Sequence, residues 1–146
     1  MVACCRCRGG EGTEPKVSIV TDTDTAFDEW LRATQPCEPP RPEEAQLRFR
    51  RLGAARAVLE REPSLLVLCR LETDPGQRGR GAASALVSWL TGLCDRHRVT
   101  LLGQARTWGN DGLSQEQLLA WYQRRGFEVD QSSAAQPLVW YPRRPR

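Results

Sequence analysis

The sequence predicts an α/β chain of 146 residues built around one strand–loop–helix–strand unit. Three observations carry that prediction. Leu65-Leu66-Val67-Leu68-Cys69 is an apolar run too short for a globular helix and dense enough for a buried strand. Pro75 and Gly76 stop regular structure, after which Ala82, Leu86, Trp89, Leu90 and Leu93 recur at helical spacing to about Asp95. Val99-Thr100-Leu101-Leu102 then reads as a second short buried strand. Such a unit normally joins two parallel strands by a right-handed crossover.

The other elements follow in order. Residues 1–16, rich in Gly, Glu and Arg, are expected to lack fixed structure, leaving 17–146 as a single domain. Val17-Ser18-Ile19-Val20 alternates like a short strand. Asp22 or Asp24 then caps a helix with Ala26, Phe27, Trp30 and Leu31 on one side. The prolines of Gln35 to Pro42 make that segment a loop. Residues 43–61 fit two patterns. Pro42, Glu43 and Glu44 open a helix whose face would carry Ala45, Phe49, Leu52, Ala55 and Leu59, whereas Gly53 could instead turn a hairpin. The pattern favours a helix over 43–52 and a strand over 55–60.

Glu62-Pro63 turns the chain into the central strand, Leu65 to Leu71. Arg106 to Gly112 is a loop, and Ser114-x-x-Gln117 reads as a capping box before a helix with Leu118, Trp121 and Tyr122. Gly126 ends that helix. Phe127-Glu128-Val129 and Leu138 to Tyr141 form the last strands, a hairpin around Gln131-Ser132-Ser133.

Composition excludes several classes. A net charge of +3 is too mild to imply a nucleic-acid partner, and Lys16 is the only lysine among the 21 basic residues. A nucleic-acid reading would rest only on the tail arginines Arg143, Arg144 and Arg146. No apolar stretch approaches the roughly 20 residues needed to span a bilayer, and the N-terminus lacks the apolar run of a signal peptide. A soluble, cytoplasmic protein without a membrane partner is expected. Of the 6 cysteines only Cys4 and Cys7 stand at C-x-x-C spacing, with no second such pair, and His97 has no partner at ligand spacing, so no metal is expected. Cys69 and Cys94 fall in elements expected to be buried, and Cys4, Cys5 and Cys7 in a tail of reduced thiols.

The loop before the crossover helix carries the chemistry. Arg78-Gly79-Arg80-Gly81-Ala82-Ala83 leads into a helix start, whose first N–H groups are unpaired and whose dipole favours an anion. Gly79 and Gly81 clear side chains from the backbone, and Arg78 and Arg80 add charge. The loop lacks the third glycine of the dinucleotide fingerprint and the Gly-Lys-Ser/Thr of a P-loop.

Arg78-x-x-Gly81-x-Ala83 after an apolar strand resembles the acetyl-coenzyme A loop of the GNAT N-acetyltransferase superfamily. Leu119-Ala120-Trp121-Tyr122-Gln123-Arg124-Arg125-Gly126-Phe127 is similar to that family's late helix, whose tyrosine precedes Gly-Phe by four and five residues. The resemblance covers Leu65 to Phe127. It implies a mixed, mostly antiparallel sheet with a central, splayed parallel strand pair and helices on both faces. It also implies antiparallel strands over 43–61.

The implied activity is acetyl transfer from acetyl-coenzyme A, as co-substrate, to a primary amine of a small molecule or peptide by direct attack in a ternary complex. The backbone from Arg78 through Gly79, Arg80, Gly81 and Ala82 to Ala83 would hold the pyrophosphate. Leu71, Glu72 and Thr73 would pair with the pantetheine arm, and a V-shaped opening is expected between residues 65–73 and 99–103. Tyr122 matches the family's general acid.

The base is open. Alternation puts Val67, Cys69 and Leu71 on the face where several members place a Glu or His, and Glu72 and Asp74 on the opposite one; Glu72 would act only through a bulge or a water. His97 falls far from the expected cleft. Gln115 stands where many members have Asn, and Leu118 where Ala is common. The alternative is a non-catalytic acyl-coenzyme A-binding or interaction module on the same fold. A homodimer is left open.

Overall fold

The computed structural model describes residues 21–74, 76–77, 79–104, 113–130 and 137–143. The strand expected at Val17–Val20, the N-terminal cysteines, Pro75, Arg78 and the loops at 106–112 and 131–133 lie outside them.

Helix α1 (Asp22–Ala33) is capped by Thr21, not by Asp22 or Asp24. Thr21 Oγ1 accepts from Asp24 N at 3.1 Å and Asp24 Oδ2 accepts from Thr21 N at 3.1 Å. The aspartate is thus the third helical residue of a capping box. Ala26 and Trp30 are buried, whereas Leu31 is 38% exposed, so the apolar face is narrower than expected.

The far end of α1 is held from the sheet by Arg50. Its Nε donates to Thr34 Oγ1 at 2.6 Å, and its Nη2 donates to the carbonyls of Thr34 at 2.8 Å and Leu31 at 3.0 Å. A guanidinium on the last carbonyls of a helix satisfies both their hydrogen bonds and the negative end of the dipole. Arg50→Ala should therefore cost about 2 kcal/mol, read as a fall in Tm of roughly 5 °C or more; an unchanged Tm would show the cap to be idle.

Strand β1 (Gln35–Pro36) pairs with β2 (Arg50–Leu52), so the proline segment opens with a bridge to the sheet. The helix expected over 43–52 is absent. Only a 3-10 turn, Pro42–Glu44, forms there, followed by β2 and β3 (Ala55–Arg61). The hairpin that the resemblance implied is the one observed. Gly53, at φ 64, occupies the first position of its two-residue turn, where a type II′ geometry calls for glycine. Ala55, Ala57 and Leu59 then stand at period two and are 0%, 0% and 5% exposed. Their pairing with the next strand overrides the local helical pattern.

Strand β4 (Leu65–Thr73), helix α2 (Ala82–His97) and strand β5 (Thr100–Gln104) make the crossover unit. Helix α3 (Gln115–Arg124) has the expected Ser114–Gln117 capping box, and β6 (Glu128–Val129) pairs antiparallel with β7 (Pro137–Trp140). The sheet order is β1-β2-β3-β4-β5-β7-β6, with β4 and β5 the one parallel pair.

Leu66, Leu68 and Leu101 meet Leu86, Leu90 and Leu93 of α2 in the main core. Cys94 is fully buried there, and burial pushes its thiol up to about 12; Cys69 is only half-buried, against expectation. Among the described residues no helix is long and apolar enough to cross a membrane.

Candidate active site

The site begins with an irregularity in β4. Leu59 pairs with Leu68 and Val58 with Arg70, so Cys69 is an extra residue and the strand bulges. An extra residue reverses the alternation beyond it. Leu71 and Thr73 come to lie opposite Ala57 and Ala55, on the helix side, and Leu71 packs against the main core. Arg70 and Glu72 lie opposite Val58 and Arg56, on the other face. The expected grouping of Val67, Cys69 and Leu71 is thereby corrected: Val67 shares its face with Arg70 and Glu72. Nothing in the residue types announces the bulge.

The bulge also marks where the parallel strands part. Their register runs from Leu65–Thr100 to Leu68–Gly103, whereas β4 continues to Thr73 and β5 stays with β7 through Gln104–Pro137. Among the described residues, no strand of the sheet covers the β5-side edge of β4 beyond Leu68. This is the place where an opening was expected.

The start of α2 lies beyond the end of β4. Gly76, Gly79 and Gly81 have φ of 86°, 80° and 83°, and a Cβ built on any of them meets nothing within 4 Å. Gly81 is the N-cap and supplies no side-chain bond, and the first turn holds no acidic residue. Arg80 and Gly81 are exposed, and Ala82, Ala83 and Ser84 half-buried. The turn therefore presents N–H donors without a built-in acceptor side chain, a chemistry suited to phosphate oxygens.

Arg125, the C-cap of α3, reaches this region, and Tyr122 stands in the last turn of that helix. Tyr122 is 6% exposed, with its ring edge-on to Trp121 at 4.8 Å and to Phe127 at 5.3 Å between centroids. Burial raises its hydroxyl to about 12, against a smaller lowering by Arg125. The phenol is thus protonated at neutral pH. The Arg125 guanidinium lies 3.8 Å from the centre of the Trp121 ring, donates to the Trp121 carbonyl at 3.0 Å and hydrogen-bonds Ser84 Oγ in the first turn of α2. Burial and the neighbouring Arg124 lower its pKa. The sequence singled out Arg78 and Arg80 by adjacency. Arg125 lies 41 residues from Ser84, and no sequence spacing could have linked them.

Glu72 is on the bulged face but committed. Arg41 bonds it directly and also lies 2.8 Å from Glu44, whose other oxygen takes Arg70 Nε at 2.9 Å. Glu44 is 6% exposed, a burial that a carboxylate tolerates only with such partners. Arg51 holds Asp74 at 2.5 Å, which keeps that carboxyl below its usual range. The segment from Cys37 to Phe49 thus lies over this face, with Phe49 and Val58 buried outside the main core. His97 accompanies α2's far end, 2.8 Å from Glu29 of α1. Among the described residues no cluster could hold a metal ion.

Solved structures share this architecture. The anti-CRISPR protein AcrVA5 superimposes with a TM-score of 0.51 at 19% identity, over 62% of this chain and 93% of its own. The fold is the GNAT fold. Other structures with this GNAT architecture include the ribosomal-protein-S18-alanine N-acetyltransferase from Escherichia coli, at 16% identity and TM-score 0.48 over 80% and 85% of the two chains. The Bacillus subtilis N-acetyltransferase YlbP in complex with coenzyme A aligns at 20% identity and TM-score 0.45 over 66% and 67%. No protein-family model and no curated protein sequence matches the chain. The parallel pair that parts after Leu68 is the central pair that the resemblance implied, and the two motifs lie at the start of α2 and along the end of α3.

Proposed function

We propose that the protein transfers an acetyl group from acetyl-coenzyme A to a primary amine. The observation that carries the reading is the open, acid-free first turn of α2 beside the end of the β4–β5 pairing. The residues present fit the co-substrate: the amides at the start of α2 receive its phosphates, and the β4 backbone at Leu71 and Thr73 flanks its arm. The bound thioester supplies the activated acetyl carbonyl. Tyr122, kept protonated by burial, gives a proton to the departing sulfur. Glu72 stays bound to Arg41 and fixes the Cys37–Phe49 segment, so the amine's proton leaves through water.

Arg125 holds positive charge at the phosphate end. Arg125→Gln should weaken coenzyme A binding by roughly tenfold, the loss of one charge-assisted hydrogen bond. Calorimetric titration checks this, and undiminished affinity would remove Arg125 from the site.

The direct test mixes protein, acetyl-coenzyme A and a panel of amines and follows free thiol. A folded protein that shows no calorimetric binding of coenzyme A ends the proposal. The commitment of Glu72 to Arg41 favours a second reading, a non-catalytic acyl-coenzyme A-binding module. Tight binding without thiol release on any amine would select it.

A further inference from the structure

We propose that Arg56 binds a carboxylate on the acyl acceptor, so that the acceptor is an amine which also carries an acidic group. The inference rests on the acetyl-transfer reading and adds the acceptor's class. Arg56 stands on β3 with its Cα opposite Glu72 on one side and Arg51 on the other. All three therefore share the face away from α1 and α2.

On that face three carboxylates already hold arginines, and Glu60, four residues from Arg56 along β3, forms no ion pair with it. Glu72 and Glu44 take Arg41, Glu44 also takes Arg70, and Asp74 takes Arg51. Arg56 stands outside these pairs: it makes no hydrogen bond or ion pair among the described residues, and its Nε is buried without an acceptor. A half-buried guanidinium left in this state costs stability, and a ligand that supplies the missing acceptor recovers it. An internal competitor is Asp74, whose Oδ1 also lacks a hydrogen bond and whose carboxyl Arg56 helps to lower. Asp74 has nevertheless committed Oδ2 to Arg51 at 2.5 Å.

The position suits substrate recognition. Glu72, opposite Arg56, is three residues past the bulge at Cys69, about 10 Å along a strand that rises roughly 3.3 Å per residue. An arginine side chain spans part of that interval. An acceptor whose amine lies at the bulge would thus present its acid several bonds away, as an ω-amino acid or a peptide with an early acidic residue does.

The experiment uses two matched pairs of probes with the full chain: γ-aminobutyrate against γ-aminobutyramide, and a C-terminally amidated Ser-Glu-Ala-Ala peptide against Ser-Gln-Ala-Ala. The acid member of at least one pair should be acetylated with a kcat/KM roughly tenfold higher or more. Arg56→Gln should erase that preference through KM while coenzyme A affinity and the rate on the neutral probes stay put, and Arg56→Lys should restore part of it. The pair that discriminates tells a small acceptor from a peptide.

Equal rates on acid and neutral probes, with coenzyme A bound and turnover present, overturn the Arg56 assignment and leave the acetyltransferase reading standing. If coenzyme A does not bind, or no amine is turned over, the Nε–H resonance of Arg56 decides by itself. A shift on adding an acid probe and none with its neutral partner keeps Arg56 as a carboxylate site, without the acceptor role. No shift with any probe, or a shift only on Asp74→Asn, makes Arg56 the counter-ion of Asp74 and overturns it.

Discussion

Gly81→Glu should abolish coenzyme A binding while leaving the fold in place. Gly81 caps α2 at φ 83, where an L residue is strained by about 1–2 kcal/mol. A Cβ there meets no atom within 4 Å, so the new side chain has room. A carboxylate at a helix start is favourable for the helix itself. The expected loss therefore comes from the glutamate's occupying and repelling the phosphates, at least a hundredfold in affinity for two lost charge-assisted bonds. Gly81→Asn carries a similar backbone strain without charge and should bind within about tenfold of the native protein. Equal coenzyme A affinity in the two variants would show that no anion sits on this turn.

Tyr122→Phe should lower kcat by roughly a hundredfold, the usual scale for a general acid, with coenzyme A affinity unchanged. Phenylalanine keeps the edge-on contacts with Trp121 and Phe127, so Tm should scarcely move. The hydroxyl titrates near 12 instead of 10.0, so kcat should show no falling limb at the ordinary phenol value. The same shift bears on stability. A folded-state pKa raised above the unfolded one stabilises fully below 10 and loses that contribution as pH rises toward 12. Alkaline unfolding of Tyr122→Phe should lack that part of the pH dependence. A variant with native kcat would return Tyr122 to a purely packing role.

Local signals served where one element settles its own form. The run Leu65 to Cys69 became β4, the spacing from Ala82 became α2, and the Ser114–Gln117 box starts α3 because its two bonds are made within one turn. The segment 43–52 misled because Pro42, Glu43 and Glu44 do begin a helical turn, but only three residues of it. Beyond that, ladder bonds to β3 and the burial of Phe49 outweigh a helix's internal bonds. Residue type alone favours Asp22 or Asp24 over Thr21 as the cap; only the backbone angles distinguish them.

By itself the sequence determined the order of strand, glycine loop, helix and strand, the uncapped start of the crossover helix, and the tyrosine four residues before Gly126. Each is a property of neighbouring residues. Tertiary structure alone decided that Cys69 bulges, that Glu72 thereby joins the face of Val67, and that Arg41 and Arg125 close on partners 31 and 41 residues away. A strand's faces depend on its register with a partner strand, and an ion pair depends on distance in space, so neither is written in the spacing of one stretch of chain.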